Sequence, residues 1–344
     1  MRSELSRYQA AVADASPSVA DRAFSLVRAL AAVAGPELTE LVEAVPPASP
    51  WARAVRGVVR GAHDDVAGII ADMEAALAEA GPGAPWAPAA WSALGRAQAQ
   101  LGEVASAARA FHEAAELARA AGDRVAEGRA IASLGFLHGE HDEAAPYEVY
   151  TRRALALIGP VDDARLHAHL LCNLAGALAR QGRTDEARDA LDAGWPLARE
   201  LDWPWGEALY LAGYGGVLCD LGKVDAGVAS YRESIALLVK LGDEFQRTRH
   251  LFTMARHLYA ARRFEEAAAA VQECILSARV HGYSATLAGA LELSSDARAA
   301  VGDPLGALAA LREHVQVQRA RAAVQVQDRV RLIEYRLQAD RARP

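Results

Sequence analysis

An all-α stack of antiparallel helix pairs is the fold this sequence predicts, and three observations carry it. Trp51, Trp91, Ile131, Leu171, Leu211, Leu251 and Leu291 stand forty residues apart. A fixed period of that length marks one small unit copied along the chain, each copy covering its neighbour's apolar face. Gly102, Gly182, Gly222 and Gly302 keep the same spacing, with Arg262 at a rung that lacks glycine. Each of these residues ends one apolar-periodic run and precedes another, where a left-handed residue turns the chain between helices. The composition agrees: 52% of the 344 residues are hydrophobic, alanine prominent among them, and only 6% are aromatic, as close-packed helices require.

The elements follow in order. Residues 1–47 read as an atypical N-terminal helical cap, with Ser16 and Pro17 as N-cap and first turn of a helix that stops near Gly35. Pro46, Pro47 and Pro50 then break the chain before Trp51. Residues 48–316 hold six to seven helix pairs, interrupted at Gly81–Pro88 and by an irregular stretch from Gly139 to Tyr150. Gly122, Gly242 and Gly282, again in one phase, mark where second helices stop. From Pro304 the pattern runs as one long helix through His314, Val326, Val330, Ile333 and Leu337, and residues 317–344 form a C-terminal helical extension. The last four of those positions have the 4-3-4 spacing of a short coiled-coil seam, which Gln318, Arg319 and Arg321 interrupt upstream.

The repeated positions serve packing. Residues at i, i+3, i+4 and i+7 of each first helix form one stripe, and the small residue at i+4 lets the second helix approach. Ala107, Ala187, Gly227, Ala267 and Ala307 do the same from the second helix, and the bulky residue four further on fills the layer behind. Leu211 and Leu251 read alike as core residues.

The copy around Trp91 reads Trp91, Leu94, Gly95, then Ala107, Phe111 and Ala114, with Gln98 in place of a tyrosine. This resembles the tetratricopeptide (TPR) pattern. Later copies repeat it as Leu171, Leu174, Ala175, Leu178, Ala187 and Leu191, and as Leu211, Tyr214, Gly215, Leu218, Gly227 and Tyr231. The resemblance covers about residues 48–316 and implies a right-handed α-solenoid. The forty-residue unit is similar to the extended-helix variants of bacterial regulators and kinesin light chains.

Several function classes are disfavoured. A net charge of −7 and a pI near 5.8 argue against a nucleic-acid surface, which needs a concentrated basic face. No run approaches eighteen uninterrupted apolar residues and no signal-peptide h-region opens the chain, so neither membrane insertion nor export is expected, and the setting reads as cytoplasmic. Cys172, Cys219 and Cys274 lie within helical runs without paired spacing, as reduced thiols do. His138, His141, Asp142 and Glu143 carry zinc-ligand types, but their spacing is what a polar turn gives by chance; no metal and no cofactor is expected. His167 and His169 point to different sides of one helix. There is no G-x-S-x-G elbow, Walker loop, H-E-x-x-H helix or C-x-x-C. Gly213-Tyr214-Gly215-Gly216 falls inside a first helix, where glycine serves close packing.

A groove remains. On a first helix, residues two before, one after, five after and eight after the anchor share one side flanking the packing stripe. The resemblance implies that this side lines the concave surface. It presents Arg96, then Arg129 and Phe136, then His169, Cys172 and Gly176, then Leu209, Ala212, Gly216 and Cys219, then Arg249, Phe252, Arg256 and Tyr259, and last Glu292 and Asp296. Asn173 matches a groove position that is often asparagine in the family. The set suits a peptide or helix with a carboxylate on Arg249 or Arg256 and an apolar anchor on Phe252 or Tyr259. Ser92, Arg96, Ala132 and Phe136 occupy the places of the chaperone-tail carboxylate clamp, which is therefore not expected.

The leading expectation is a non-catalytic module that binds a protein or peptide in that groove as the sensing or scaffolding part of a bacterial regulatory system. A second expectation is a homodimer formed through the C-terminal helix. Leu311 to His314, followed by Arg329 to Arg341, resembles the linker joining TPR sensor arrays to output domains such as diguanylate cyclases, although no GGDEF run is present. A third is a small-molecule receptor centred on Trp195, Trp203, Trp205 and Tyr210, for which the plainer account is a helix start at Pro204 with tryptophans filling a wide joint.

Overall fold

The computed structural model describes residues 50, 53–54, 66–80, 84, 86–100, 103–140 and 143–341. The expectations on Trp51, Gly81, Gly102, His141, Asp142 and the cap of residues 1–47 lie outside them. Thirteen helices follow one another, with no strand among the described residues: α1 (Val66–Glu79), α2 (Ala87–Gln100), α3 (Val104–Ala120), α4 (Arg124–Glu140), α5 (Ala144–Leu157), α6 (Ala164–Ala179), α7 (Thr184–Glu200), α8 (Pro204–Asp220), α9 (Val224–Leu241), α10 (Glu244–Ala260), α11 (Phe264–Val280), α12 (Ser284–Ala300) and α13 (Pro304–Arg341). First helices begin at 124, 164, 204, 244 and 284, and second helices at 104, 144, 184, 224, 264 and 304. The forty-residue period is therefore kept to the residue in the backbone.

The helices fall into two compact units: α1–α4 with the far end of α13, and α5 through residue 324. Within the first, α2 packs on α3; within the second, α6 on α7, α8 on α9 and α10 on α11, each pair antiparallel across a short turn. Within each unit the first helices also touch in series, α2 on α4 in the first and α6, α8, α10 and α12 in the second. This is the layered arrangement of a helical repeat.

Turn chemistry fixes the spacing. Gly242 caps α9 in the left-handed region at φ 71°, and its amide reaches the Val239 carbonyl, closing the helix as a C′ glycine does. The same conformation recurs at 122, 182, 202, 222, 262, 282 and 302, held at two of these by Asp202 (φ 44°) and Arg262 (φ 59°). Arg262 thus takes the glycine's backbone role in the ladder, and Asp202 does so unannounced.

Close helix approach rests on missing side chains. A Cβ on Gly95 would stand 2.7 Å from the Phe111 ring, and one on Gly227 only 2.6 Å from the Gly215 carbonyl oxygen. Behind these points Phe111, Leu191, Tyr231 and Val271 are all but inaccessible. The matching residue of the last unit, Leu311, is 46% exposed.

Three expectations change. The stretch from Gly139 to Tyr150 is helical on both sides of residues 141–143, since α4 runs to Glu140 and α5 starts at Ala144. Of the anchors, Ile131, Leu251 and Leu291 are buried whereas Leu171 and Leu211 are half-buried. The deepest layer lies one residue earlier, at Ala90, Ala130, Leu170, Tyr210 and Ala290, where a first helix meets the helices before and after it.

Candidate functional site

Six of the nine groove residues fall in the second unit, on α6 and α10. His169 presents its ring edge-on to Trp203 and Trp205, with centroids 6.5 and 5.7 Å away, and burial holds its pKa below the usual imidazole value. Asn173 is half-buried on the same helix. On α10, Arg249 lies over the Phe245 ring at 5.7 Å, and Arg256 is exposed. Phe252 leans across to α12, its ring tip 3.0 Å from where a Gly289 Cβ would stand. Tyr259 packs on Phe264 of the paired helix at 5.3 Å. Both aromatics are thus partly spent on internal packing, and Arg256 and Asn173 are the more available of the set.

Arg96, Arg129 and Phe136 belong to the first unit. Arg96 is exposed, Arg129 half-buried, and both are already engaged with neighbouring groups. Phe136 is 45% exposed, an aromatic face on α4 without cover.

The position five after each anchor is the most open of the first-helix face. In the second unit it carries Gly176, exposed with nothing within 4 Å of its missing Cβ, then half-buried Gly216, then the exposed Arg256 and Asp296. Backbone lies bare at Gly176, is partly covered by Tyr231 and His257 at Gly216, and charge follows over the next two helices.

A polar cluster borders Gly216 that the sequence reading did not name. Tyr231 Oη lies 3.2 Å from His257 Nδ1, which also faces the Thr253 carbonyl at 2.9 Å, while His257 Nε2 stands 3.6 Å from Asp220 Oδ1. Burial raises the Asp220 carboxyl and the facing His257 opposes that shift. The residues come from α8, α9 and α10, so only the fold unites them. Beneath, His250 Nδ1 donates to Ser234 Oγ at 2.8 Å, and Ser234 donates to the Ala208 carbonyl at 2.7 Å. That burial pushes His250 down to about 4, with Arg249 adding to it.

The tryptophan cluster is a joint. Pro204 opens α8, Trp203 lies flat over Gly206 and Trp205 Nε1 donates to Asp243 Oδ2 at 2.8 Å, tying one first helix to the N-cap of the next. Trp195 meets Tyr210 and Tyr214 edge-on, both centroids at 6.0 Å, and Tyr210 donates to the Ala168 carbonyl at 2.6 Å. Burial pushes the Cys172 thiol up to about 12 and the Cys219 thiol to about 11, far from nucleophilic range. No helix among the described residues is long and apolar enough to cross a membrane.

Repeated helix pairs, left-handed turns at fixed spacing and first helices packed in series define a helical-repeat protein with the TPR-like fold. Solved structures of that fold are similar to it. The Rap conjugation gene regulator of plasmid pLS20, in complex with the Phr* peptide, matches with a TM-score of 0.62 at 11% identity, covering 84% of this chain and 77% of that one. A Rap protein complexed with competence and sporulation factor matches at 0.57 and 11% identity, over 94% and 98%. A signal-transduction ATPase with a tetratricopeptide repeat sensor from Pyrococcus horikoshii matches at 0.59 and 13% identity, over 95% of this chain and 53% of that one. No protein-family model matches the sequence, nor does any curated protein.

Proposed function

We propose that this chain is a non-catalytic regulatory repeat module that binds a protein or peptide along the inner face of its first helices, as the sensing or scaffolding part of a bacterial system. The observation that carries the reading is the open line at Gly176, Gly216, Arg256 and Asp296. It combines accessible backbone, where an extended or helical segment can lie close, with a guanidinium suited to a carboxylate. Half-buried Asn173 adds an amide, donor and acceptor both, to pair with a ligand backbone. Two similar structures, the pLS20 regulator with Phr* and the Rap protein with competence and sporulation factor, are complexes with a named ligand, which supports the class of partner.

Arg249 and Arg256 act as carboxylate contacts, with Phe252 and Tyr259 as the walls of an apolar subsite and His169 beside the tryptophans at one end. In the first unit, Arg96, Arg129 and Phe136 form a separate stretch of the same helix face. The test is a pull-down from lysate with wild type and Arg256→Glu. Arg256 is exposed, so its substitution shifts stability by no more than about 0.5 kcal/mol. Capture of a partner by wild type and its loss in the variant, at equal melting temperature, supports the assignment; equal capture by both rejects it.

A further inference from the structure

Away from that face, in the first unit, α1, α2 and α3 line an open cavity of about 510 Å3. Leu77 and Ala78 of α1, Trp91 and Leu94 of α2 and Ala110 of α3 give it an apolar wall, and Glu74, Arg109 and Glu113 stand around it. Gln98 also lines it; the residue is 5% exposed, and its Oε1 is buried without a hydrogen-bond partner among the described residues.

At forty-residue steps the same position is His138, Leu178, Leu218, Leu258 and Arg298, and the leucines at 178 and 258 are buried. Eighty residues beyond exposed Ala78 stands Ile158, fully buried. In the second unit Ile158, Leu178 and Leu258 are buried at the corresponding positions; in the first the layer is open and carries an unmet acceptor. A buried carbonyl oxygen without a donor is unfavourable unless something supplies one. The volume falls within the usual range for small-ligand sites, roughly 300–1,000 Å3.

Charge selects the ligand. Two carboxylates oppose one guanidinium, and Arg109 is held by Ser106 Oγ at 3.1 Å. Glu74 is already engaged, whereas Glu113 is exposed at the mouth. Trp91 adds an indole, whose face attracts cations. We propose that this cavity is a binding site for a cationic amine, an ammonium or guanidinium group on an apolar body, with the cation at Glu113, an N–H donated to Gln98 Oε1 and the body against Trp91 and Leu94. The group comes from a free small amine or from an arginine or lysine side chain of a docked peptide.

The experiment is calorimetric titration of the full chain with phenethylammonium, with agmatine and with an acetylated, amidated Leu-Arg-Leu tripeptide, with phenylacetate as the anionic control. Wild type binds at least one cation; Glu113→Gln weakens that binding tenfold or more at unchanged melting temperature. Gln98→Leu, which restores the residue of the later repeats, abolishes it while the melting temperature rises. Binding of the amines identifies a small-molecule site, and binding of the tripeptide alone identifies a side-chain subsite. No binding at millimolar concentration, equal binding of phenylacetate, or affinity indifferent to Glu113 and Gln98 overturns the proposal.

Discussion

Gly222 sits at φ 75° with nothing within 4 Å of its absent Cβ, so its role is conformational alone. Gly222→Ala places a side chain in the left-handed region, which costs about 1–2 kcal/mol, offset by roughly 0.5–1 from the lower entropy of the unfolded chain. A net loss of about 1 kcal/mol in urea unfolding is expected. A second residue-scale effect concerns protons. His250, held near 4 by burial, is neutral in the folded chain when an unfolded imidazole at about 6.5 has already taken a proton. The unfolded state then binds more protons, so this contribution is complete above pH 6.5 and is lost as pH falls towards 4, with an upper size of about 3 kcal/mol. His250→Asn keeps a donor for Ser234 and removes the titration; its stability is lower throughout but flat over that window. Glu148 acts further down: burial would raise it, but hydrogen bonds from Gln181, Arg152 and Arg183 hold it at about 2, so its share is present above the usual carboxylate range and lost between about 4.5 and 2.

At the scale of elements, the helix pair is the unit that mutations disturb. Leu251 is buried against Ala255, Val271 and Ile275 in one apolar cluster, and Leu251→Ala is expected to cost about 2–5 kcal/mol. Leu211→Ala costs less, because that side chain is only half-buried; paired thermal melts order the two. Gly227→Ala gains up to about 1 kcal/mol in helix propensity, yet its Cβ meets the Gly215 carbonyl and Cys219 at 2.5–3.0 Å. Backbone must shift, so a net loss of about 1–3 kcal/mol is expected. The same comparison shows what the sequence made legible. Large residues and glycines that recur in kind, such as Ile131, Leu251 and Gly182, reveal the period and the turns. The deepest layer stayed hidden because burial recurs there while identity does not. It runs Ala90, Ala130, Leu170, Tyr210, His250, Ala290, and its changes in size are absorbed by the facing helix, as where Tyr210 crosses Gly194 or His250 meets Ser234.

At the scale of the whole molecule, first helices lean on one another in series within each unit, so damage is expected to stay local. Hydrogen exchange in Leu251→Ala should rise in α9–α12 and leave α6–α7 near wild type; uniform acceleration would instead mean that the second unit opens as one body. The candidate groove was legible only as a side of a helix. Periodicity put Arg256 and Gly176 on that side, and both positions are exposed, but it could not show that Phe252 and Tyr259 lean on neighbouring elements, because those contacts depend on packing between helices. The inner-face assignment is tested most directly by a photo-crosslinker, Gly176→p-benzoylphenylalanine, with Glu265→p-benzoylphenylalanine on an exposed second-helix position as control. Irradiation in lysate is predicted to yield a partner adduct from position 176 and none from 265. An adduct from 265 alone, or from neither, would contradict the account.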